Sequence, residues 1–547
     1  MDYNTYKIYI ITNHIFLHQL GGAKKKWTTL EHNGVLFPPP YEKIDVPVIY
    51  NGIEVVLDKD AEEAATLYAR LLGTEYITNR FNKNFWNDWK RILGKDHEIQ
   101  NLDGVDFSQI QDYLLQKKEE KKLNKGFIDK EEKNAIEEKY KFAIVDGKKQ
   151  PVGNFRIEPT GLFIGRGCNP KSGKIKPTIV PEDIIINIGK GAKIPDPGLD
   201  HKWKDVIHDQ TIEWLASYKD IITGKTKYVW LGAQSDFKAN SDIKKFDIAR
   251  KLKRKINSIR EENYKNMISS DPIIRQIATA LYFIDNFALR VGNEKADDET
   301  DTVGVTSLRT EHVKLLEDNK IKLNFLGKDS VRYDRVLEVD PRVYQNVKEF
   351  TEQKNNSDSL FNLITSSDVN KYLQGFMKNL TAKVFRTYNA SNLFQKELKK
   401  ISKKYERSNE LDKINLLLDE FNKANAKVAM LCNHQKNINT STNKQIETID
   451  NMIKKNRTKL QLAKKSKKKN PAKIAQIQSI IKKLKSKKML KTELKNISLG
   501  TSKINYIDPR ISVSFMKKHN LPIDKIFSKT LQEKFKWAME TDINYKF

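Results

Sequence analysis

The segment GCNPKSGKI, from Gly167 to Ile175, is the nearest approach to a phosphate-binding motif in the sequence. It fails as a P-loop, because five residues separate its two glycines, one more than the motif has, and Ile175 stands where a Ser or Thr hydroxyl would hold Mg²⁺. An acidic run at 297–301 could bind a divalent metal, but such a run is more often a solvated turn, and no second acidic cluster accompanies it. The sequence therefore predicts no metal site and no cofactor.

Chemistry on a phosphodiester without a metal requires cationic side chains. Arginine suits this role, because its fixed charge and forked donors hold two phosphate oxygens and stabilise the additional negative charge of the transition state. A Ser or Tyr hydroxyl would be the nucleophile, and a desolvated Lys would protonate the departing sugar oxygen. The chain contains 20 tyrosines, and residue type alone does not single one out.

The composition is that of a large, folded and strongly basic chain. Its 547 residues include 99 Lys and Arg against 70 Asp and Glu, a formal excess of +29, and 38% are hydrophobic, which excludes a disordered basic tail. The length predicts roughly three or four domains. Cys168 and Cys432 are too few for a disulfide framework or a four-thiolate zinc site. No stretch approaches the ~20 apolar residues of a membrane helix, so no membrane association is expected.

About half of the net positive charge lies in one segment. Between Lys436 and Leu490 there are 17 Lys and Arg but only two acids, a local excess of +15. Apolar residues recur at helical spacing on both sides of Pro471, which predicts two antiparallel helices with a narrow apolar seam. A lysine-rich arm can be solvated and without a partner, but lysines beside an apolar seam also lie against polyanions. We interpret the segment as a nucleic-acid contact that includes Lys464 and Lys465.

The chain ahead of this segment reads as an α+β half followed by a mostly helical half. Up to about Ser235, helical stretches at 58–72 and 116–140 alternate with β-like runs such as 183–188. From 236 onward helices dominate, interrupted by a hairpin whose turn, Gly327-Lys328-Asp329-Ser330, places Lys328 at an exposed tip. The sequence therefore predicts an α+β multidomain fold.

Two helical patterns lead up to arginines. Apolar residues at 277–288 share one face of a helix that Gly292 is expected to end, which would put Arg290 at its C-terminus, where a cation meets the helix dipole favourably. A second helix, with apolar positions at 373–384 facing inward, is expected to precede Arg386. On these patterns alone, both arginines could be ordinary surface residues.

Five motifs follow one another in the second half of the chain. They are ALYFIDNFALRVGNEK with Arg290, FLGKDSVRY with Lys328, LTAKVFRTYNAS with Arg386, LCNHQ with His434 and LGTSKINYIDPR with Tyr506. NFRIEPTGLFIGRG and PEDIIIN precede them, and KFKWAME follows. From about residue 27 to the end, the sequence resembles the eukaryotic type IB DNA topoisomerases. Each residue alone has an ordinary structural explanation, whereas five motifs in family order favour the functional one.

The resemblance implies a complete set of catalytic roles. Tyr506 would attack one DNA strand and leave a 3′-phosphotyrosine and a free 5′-hydroxyl, so that religation needs no ATP. Arg290 and Arg386 would hold the scissile phosphate, and His434 would donate to the same oxygens. Lys328 would protonate the 5′-oxygen from the tip of its hairpin.

The resemblance also implies binding residues and partners. Arg166 and Asn505 match DNA-contacting positions, and with Asp329 they resemble the pocket for camptothecin-type poisons. Duplex DNA, largely without sequence specificity, is the expected partner of a monomeric enzyme. The nucleus is the expected compartment, and a viral replication compartment or the cytoplasm is the alternative, because the long charged N-terminal domain of cellular relatives is missing.

The expected organisation has five parts: an unmatched leader at 1–26, an α+β cap and DNA-clamp region at 27–235, a mostly helical catalytic core at 236–435, a basic two-helix linker at 436–494, and a small helical C-terminal domain at 495–547 that carries Tyr506. Two other functions remain open. A tyrosine recombinase uses a similar set of residues but joins different strands within a tetramer, and an architectural clamp would bind DNA through charge alone.

Overall fold

The chain divides into two compact units. The computed structural model describes residues 25–123, 128–293, 299–406, 413–435, 440–465 and 470–547. The first unit contains the described residues up to Asn240, together with Glu299 and Thr300. The second unit contains the other described residues from Ser241 onward.

The first unit combines short strands with four helices among its described residues. The strands are β1 (Leu30–His32), β2 (Val48–Tyr50), β3 (Ile53–Val55), β4 (Val105–Asp106), β5 (Phe142–Val145), β6 (Lys148–Pro151), β7 (Gly161–Leu162), β8 (Ile175–Lys176), β9 (Ile184–Asn187), β10 (Asp205–Ile207), β11 (Trp214–Lys219) and β12 (Thr226–Trp230). The helices are α1 (Lys59–Ala69), α2 (Asn79–Leu93), α3 (Ser108–Leu123) and α4 (Ile128–Tyr140), with a 3₁₀ turn at Pro181–Asp183. The sheet orders are β1-β5-β6, β3-β2-β4, β7-β8 and β10-β9-β11-β12.

Two hydrophobic cores stabilise the first unit. One lies around the sheets that contain β1 and β9, and the other lies among α1, α2 and α3. On α2, Phe81, Phe85 and Trp89 recur every four residues and are fully buried, because this spacing puts them on one face of the helix. The Thr78 side chain caps the N-terminus of that helix.

The second unit is mostly helical and contains one antiparallel sheet, in the order β13-β14-β15. Its strands are β13 (Val313–Leu316), β14 (Lys320–Gly327) and β15 (Val331–Glu338). Its helices are α5 (Asp236–Asn266, which begins before the unit boundary), α6 (Pro272–Asn286), α7 (Pro341–Thr351), α8 (Ser366–Phe376), α9 (Ala382–Tyr405), α10 (Lys413–Leu431), α11 (Thr440–Lys465), α12 (Pro471–Glu493), α13 (Leu499–Asn505), α14 (Pro509–Lys518), α15 (Ile523–Ile526) and α16 (Lys529–Lys534). Short 3₁₀ turns lie at Val305–Ser307, Thr310–His312, Lys328–Ser330 and Lys536–Ala538.

A single hydrophobic cluster runs through the second unit. It contains residues of α6, α9, α10, α14 and the β-sheet. The Phe394 ring of α9 meets the Phe421 ring of α10 edge to face, with centroids 5.1 Å apart, a favoured aromatic geometry. The helices that precede and follow the predicted site residues are therefore anchored in one core.

Helices α11 and α12 form the antiparallel pair that the sequence predicts. The Lys488 ammonium lies 2.8 Å from the Asp450 carboxylate, and the Lys491 ammonium contacts Gln445, so the two helices run in opposite directions. Ile449 and Ile453 are buried, as are Ile477 and Ile481 on the facing helix, and form the seam. The charged side chains lie on either side of this seam.

Three local predictions differ from the structure. Helix α6 ends at Asn286, well before Gly292, so Arg290 lies in an irregular segment and not on a helix C-terminus. The apolar positions ahead of Arg386 lie in two helices, α8 and α9, and in the turn between them, because Met377 leaves the helical conformation. The charged helix expected at 116–140 is also two helices, α3 and α4.

The α+β multidomain class is confirmed, since helices make up about half of the chain and several small sheets accompany them. No helix in the described part of the chain is both long and apolar enough to cross a membrane.

Candidate active site

Arg290 lies in the irregular segment beyond α6, and a close contact between two glycines holds its backbone. A Cβ on Gly304 would lie 2.8 Å from the carbonyl oxygen of Arg290 and would collide with the backbone of Gly292. Gly292 also has a φ of 96°, a conformation that glycine adopts without strain. The Arg290 carbonyl accepts a hydrogen bond from the Val305 amide at 2.9 Å. These contacts fix the point from which the Arg290 side chain extends.

Lys328 lies at the tip of the β14–β15 hairpin, as predicted. The strands pair continuously up to Gly327 and Val331, and the 3₁₀ turn closes them. Asp329 and Ser330 have φ values of 67° and 57°, so the turn uses two consecutive left-handed residues. Lys328 and Asp329 are both exposed. The hairpin therefore presents the Lys328 ammonium away from the core.

Arg386 lies in the second turn of α9, and its side chain is only 4% exposed. Its guanidinium donates to the carbonyl of Ala288 and, at 3.0 Å, to the carbonyl of Cys432. Its Nε is buried and has no hydrogen-bond partner among the described residues. A buried guanidinium that is fixed by two carbonyls and retains an unused donor is suited to receive an anion.

His434 lies just beyond α10, at the base of the α11–α12 hairpin. Its carbonyl accepts a hydrogen bond from the Ser498 amide at 2.9 Å, and Gln435 pairs with Ile497. The chain therefore returns from the hairpin beside the point where it departs, which brings α13 next to His434. The imidazole is 5% exposed, and its Nδ1 lies 2.7 Å from Oγ of Ser502.

Tyr506 lies at the C-terminal end of α13, and its ring stacks on that of His434. The ring centroids are 5.2 Å apart, with 28° between the planes. The guanidinium carbon of Arg386 lies 5.0 Å from the Tyr506 ring centroid. Ser391 of α9 donates to the Tyr506 carbonyl at 3.0 Å and accepts from the Asp508 amide at 3.0 Å. One buried hydroxyl thus holds the backbone on both sides of Ile507.

The charges of the site change the pKa values of its groups. Burial alone would raise the pKa of the Tyr506 hydroxyl, but the charges of Arg386 and Arg290 outweigh burial and lower this pKa below its usual value. Burial and the same two arginines lower the pKa of His434 to about 3, so its ring is neutral at physiological pH. Burial and the charge of Arg386 also lower the pKa of Arg290, although an arginine stays charged throughout.

A cavity of about 90 Å³ connects these groups. It is lined by Arg290, Lys328, Arg386 and His434, each of which comes from a different chain segment. Tyr506 is stacked directly behind His434. An anion in the cavity would therefore meet two fixed cations, one exposed ammonium and one neutral imidazole, with a tyrosine hydroxyl of lowered pKa beside them.

The structure also locates the other predicted binding residues. Asp329 lines the cavity, and Asn505 is exposed at the last position of α13, next to the tyrosine. Lys464 and Lys465 are exposed in the last turn of α11. Arg166 belongs to the first unit, where it is exposed in the loop between β7 and β8. Contact of these residues with DNA stays a prediction, as do the individual roles of the five predicted catalytic residues.

The sequence reasoning missed two serines at the site. Ser502 lies four residues before Tyr506, so helical spacing could have placed both on one side of α13. Ser391 offered no such signal, because its partner lies in a distant segment of the chain.

A metal site was not expected. Among the described residues, no group of three His, Cys, Asp or Glu side chains is arranged to hold a metal ion. Asp297 and Asp298 of the acidic run lie outside the described residues. The side chains that do converge define a class of protein: an α+β protein in which two arginines and a histidine line one cavity beside a tyrosine.

Three family models match consecutive parts of the chain. The DNA binding fragment of eukaryotic DNA topoisomerase I matches residues 25–231, its catalytic core matches residues 234–468, and the C-terminal topoisomerase domain matches residues 478–547.

Full-length relatives agree with this result. DNA topoisomerase 1 alpha of Arabidopsis thaliana is 45% identical over 96% of this chain and 60% of its own length. DNA topoisomerase 1 of Caenorhabditis elegans is 42% identical over 95% of this chain and 67% of its own length. DNA topoisomerase 1 of Homo sapiens is 40% identical over 95% of this chain and 72% of its own length. The chain belongs to the eukaryotic DNA topoisomerase I family, and it spans about 60% of the length of the Arabidopsis relatives.

Proposed function

We propose that this chain relaxes supercoiled duplex DNA by cutting one strand, allowing rotation and rejoining the strand, without ATP or a metal ion. The observation that carries the proposal is the convergence of Arg290, Arg386 and His434 on one cavity, with the Tyr506 ring stacked on the histidine. Family membership makes DNA the expected substrate. The net charge of +29 favours binding to any duplex through its phosphates.

In the proposed reaction the Tyr506 oxygen attacks the scissile phosphorus and loses its proton to water. The bond from phosphorus to the 5′-oxygen breaks, and Lys328 transfers a proton to that oxygen. Arg290, Arg386 and His434 stabilise the charge that develops on the nonbridging oxygens. Tyr506 now holds the 3′-phosphate, and the strand with the free 5′-hydroxyl rotates. Attack by that hydroxyl reverses each step, and because the phosphoester bond energy is conserved, no nucleotide is consumed.

Three features of the site support this assignment of roles. The lowered pKa of Tyr506 increases the fraction of its nucleophilic phenolate. The free Nε of Arg386 leaves a donor available to a phosphate oxygen. The exposed position of Lys328, on a hairpin that extends from the sheet, suits a general acid that completes its site only when DNA is bound.

The proposal extends to partners and location. The chain acts as a monomer in the nucleus, and the lysines of α11 and α12 contact DNA. Asp329 at the cavity and Asn505 next to Tyr506 are the residues that a camptothecin-type poison would meet in the cleaved complex.

Plasmid relaxation tests the function. Positively and negatively supercoiled plasmids should both be relaxed in EDTA without ATP, and rapid denaturation should trap the protein on the 3′ end of a nick. Tyr506→Phe, which keeps the stacked ring, should bind DNA and neither relax nor become linked to it. A 5′ linkage, or undiminished cleavage by Tyr506→Phe, would refute the assignment. Site-specific strand exchange by a tetramer would identify a recombinase, and binding without cleavage by the unaltered chain would identify an architectural clamp.

A further inference from the structure

Ser502 connects the histidine and the tyrosine of the site. It lies one helical turn before Tyr506 and is fully buried. Its carbonyl accepts the amides of both Tyr506 and Ile507 at 3.0 Å, and its Oγ lies 2.7 Å from Nδ1 of His434. Ser502 therefore contacts both the backbone of the predicted nucleophile, Tyr506, and the ring of His434, the predicted hydrogen-bond donor to the phosphate.

The hydrogen atoms shared by Ser502 and His434 can be assigned from their burial. The imidazole is neutral, so only one of its two nitrogens carries a proton. In the part of the chain that the structure describes, the Ser502 hydroxyl has no hydrogen-bond partner besides Nδ1. A proton on Nδ1 would make the hydroxyl an acceptor and leave its own hydrogen buried without a partner, which is unfavourable. If the hydroxyl donates to Nδ1, the 2.7 Å hydrogen bond satisfies both the hydroxyl hydrogen and Nδ1, and the ring proton is on Nε2.

Nε2 is the nitrogen that faces the anion site. It lies 3.5 Å from Nη2 of Arg386, which also lines the cavity and can only donate, so this contact favours an unprotonated Nε2. The contact is much longer than the 2.7 Å bond between Ser502 and Nδ1 and is the weaker of the two. Nη2 is already directed to the Cys432 carbonyl at 3.0 Å. Two neighbouring N–H donors with no acceptor between them are arranged to share an incoming phosphate oxygen.

We propose that Ser502 is a positioning residue that keeps His434 in the tautomer with the proton on Nε2, so that the histidine offers a donor to the scissile phosphate. The inference rests on the proposed function for its catalytic consequence. A hydroxyl suits this position because it can donate. A carboxylate or carbonyl, the common partner of a functional histidine, would accept from Nδ1 and leave Nε2 without a proton.

A double-mutant cycle tests the catalytic consequence. Ser502→Ala should lower the single-turnover cleavage rate about 10- to 100-fold, as the loss of a group that orients a catalytic ligand commonly does, and Ser502→Thr should restore most of it. In His434→Gln the glutamine amide donates without a tautomer, so adding Ser502→Ala should lower the rate little further. Ser514→Ala, which removes a buried hydroxyl that donates to the Ile543 carbonyl, is the matched control and should cleave at the normal rate.

If Ser502→Ala lowered the cleavage rate as much in the His434→Gln background as in the unaltered chain, Ser502 would act only on the stability of the fold. That result would overturn the proposal. An unchanged rate for Ser502→Ala alone would also overturn it. Thermal unfolding of every variant identifies any rate loss that comes from misfolding. If Ser502→Ala proves unstable, Ser502→Thr takes its place in the comparison with His434→Gln.

The tautomer itself is measurable whether or not the chain cleaves DNA. In the full chain with ¹⁵N-labelled histidine, the His434 ring signals, assigned by their loss in His434→Gln, should show a protonated Nε2 and an unprotonated Nδ1. Ser502→Ala should shift the proton toward Nδ1 or produce a mixture. A proton on Nδ1 in the unaltered chain would refute the inference. Absence of cleavage by the unaltered chain, with the expected tautomer present, would refute only the proposed function.

Discussion

The cavity and the α11–α12 hairpin both carry positive charge, and they hold it in opposite ways. At the cavity, Arg386 is 4% exposed and two carbonyls fix its guanidinium. On the hairpin, Lys464 and Lys465 are exposed, and the charge is spread over two solvated helices. At the cavity the protein therefore fixes the position of single charged groups, whereas on the hairpin it presents many exposed charges together.

This difference has energetic consequences. A desolvated charge acts strongly at short range, because the protein around it screens less than water does. Exposed charges are screened by salt beyond a Debye length of about 10 Å at 0.1 M ionic strength. The cavity should therefore be sensitive to single substitutions, whereas the hairpin should respond to the number of its charges and to salt.

The largest effect is expected from Arg386→Ala. Removing one donor to a developing oxyanion typically lowers a rate by ~100- to 1,000-fold, and single-turnover cleavage and religation should both fall by that order. Arg91→Ala, at a position with 81% side-chain exposure, is the control and should behave as the unaltered chain. A loss below about tenfold would mean that the buried arginine does not contact the phosphate.

Lys328→Ala should also reduce cleavage strongly, but in a way that the substrate can rescue. A 5′-bridging sulfur departs without needing a proton, so a substrate that contains it should restore cleavage by Lys328→Ala. The same substrate should not restore Arg290→Ala, because that arginine acts on the nonbridging oxygens. Equal rescue of the two variants would contradict the acid role of Lys328.

Deleting 443–488 should have a moderate effect, because it removes charge and leaves the cavity intact. The pairing of Gln435 with Ile497, and of His434 with Ser498, lies outside the deleted segment and should hold α13 in place. We expect weaker DNA binding, faster relaxation per cleavage event, and a log–log salt dependence that flattens by ~0.9 for each DNA phosphate that the shortened chain no longer neutralises. Binding is measured across a salt series, and an unchanged slope with lower thermal stability would show that the hairpin is only structural.

The smallest effect is expected on the pH dependence of stability in His434→Gln. The pKa of His434 is about 3 in the folded chain against 6.5 ordinarily, so the unfolded chain binds the proton more readily between those values. The neutral histidine therefore contributes stability that is complete above pH 6.5 and is lost as pH falls toward 3. The charged groups that act on the ring are Arg386 and Arg290, and both stay charged throughout this range.

His434→Gln should reduce the slope of unfolding free energy against pH in that window by at most about 1.4 kcal/mol per pH unit, the contribution of one proton. Denaturant unfolding of both chains at several pH values provides the slopes. His312→Gln is a useful comparison, because burial also lowers the pKa of His312, which lies outside the cavity. Identical slopes for His434→Gln and the unaltered chain would mean that the ring is not held neutral.

Local features were the most predictable from sequence. Contacts between neighbouring or regularly spaced residues determine three such features: the α11–α12 pair, its seam residues Ile449 and Ile477, and the turn at Lys328. Helix ends were less predictable. The apolar pattern continues past Asn286, yet α6 ends there, because the following segment pairs with the chain around Gly304 and Val305 instead of completing another helical turn.

The sequence by itself determined the family, the α+β class, the basic hairpin and the identities of the five predicted catalytic residues, because these are encoded in motifs, periodicity and composition. Only the tertiary structure decided that Arg290, Arg386 and His434 share one cavity, and that Tyr506 stacks behind it. It also decided that Arg386 is buried, that His434 is neutral and that Ser502 contacts its ring. Burial, pKa and hydrogen-bond partners depend on segments that meet only when the core forms, and no single segment encodes them.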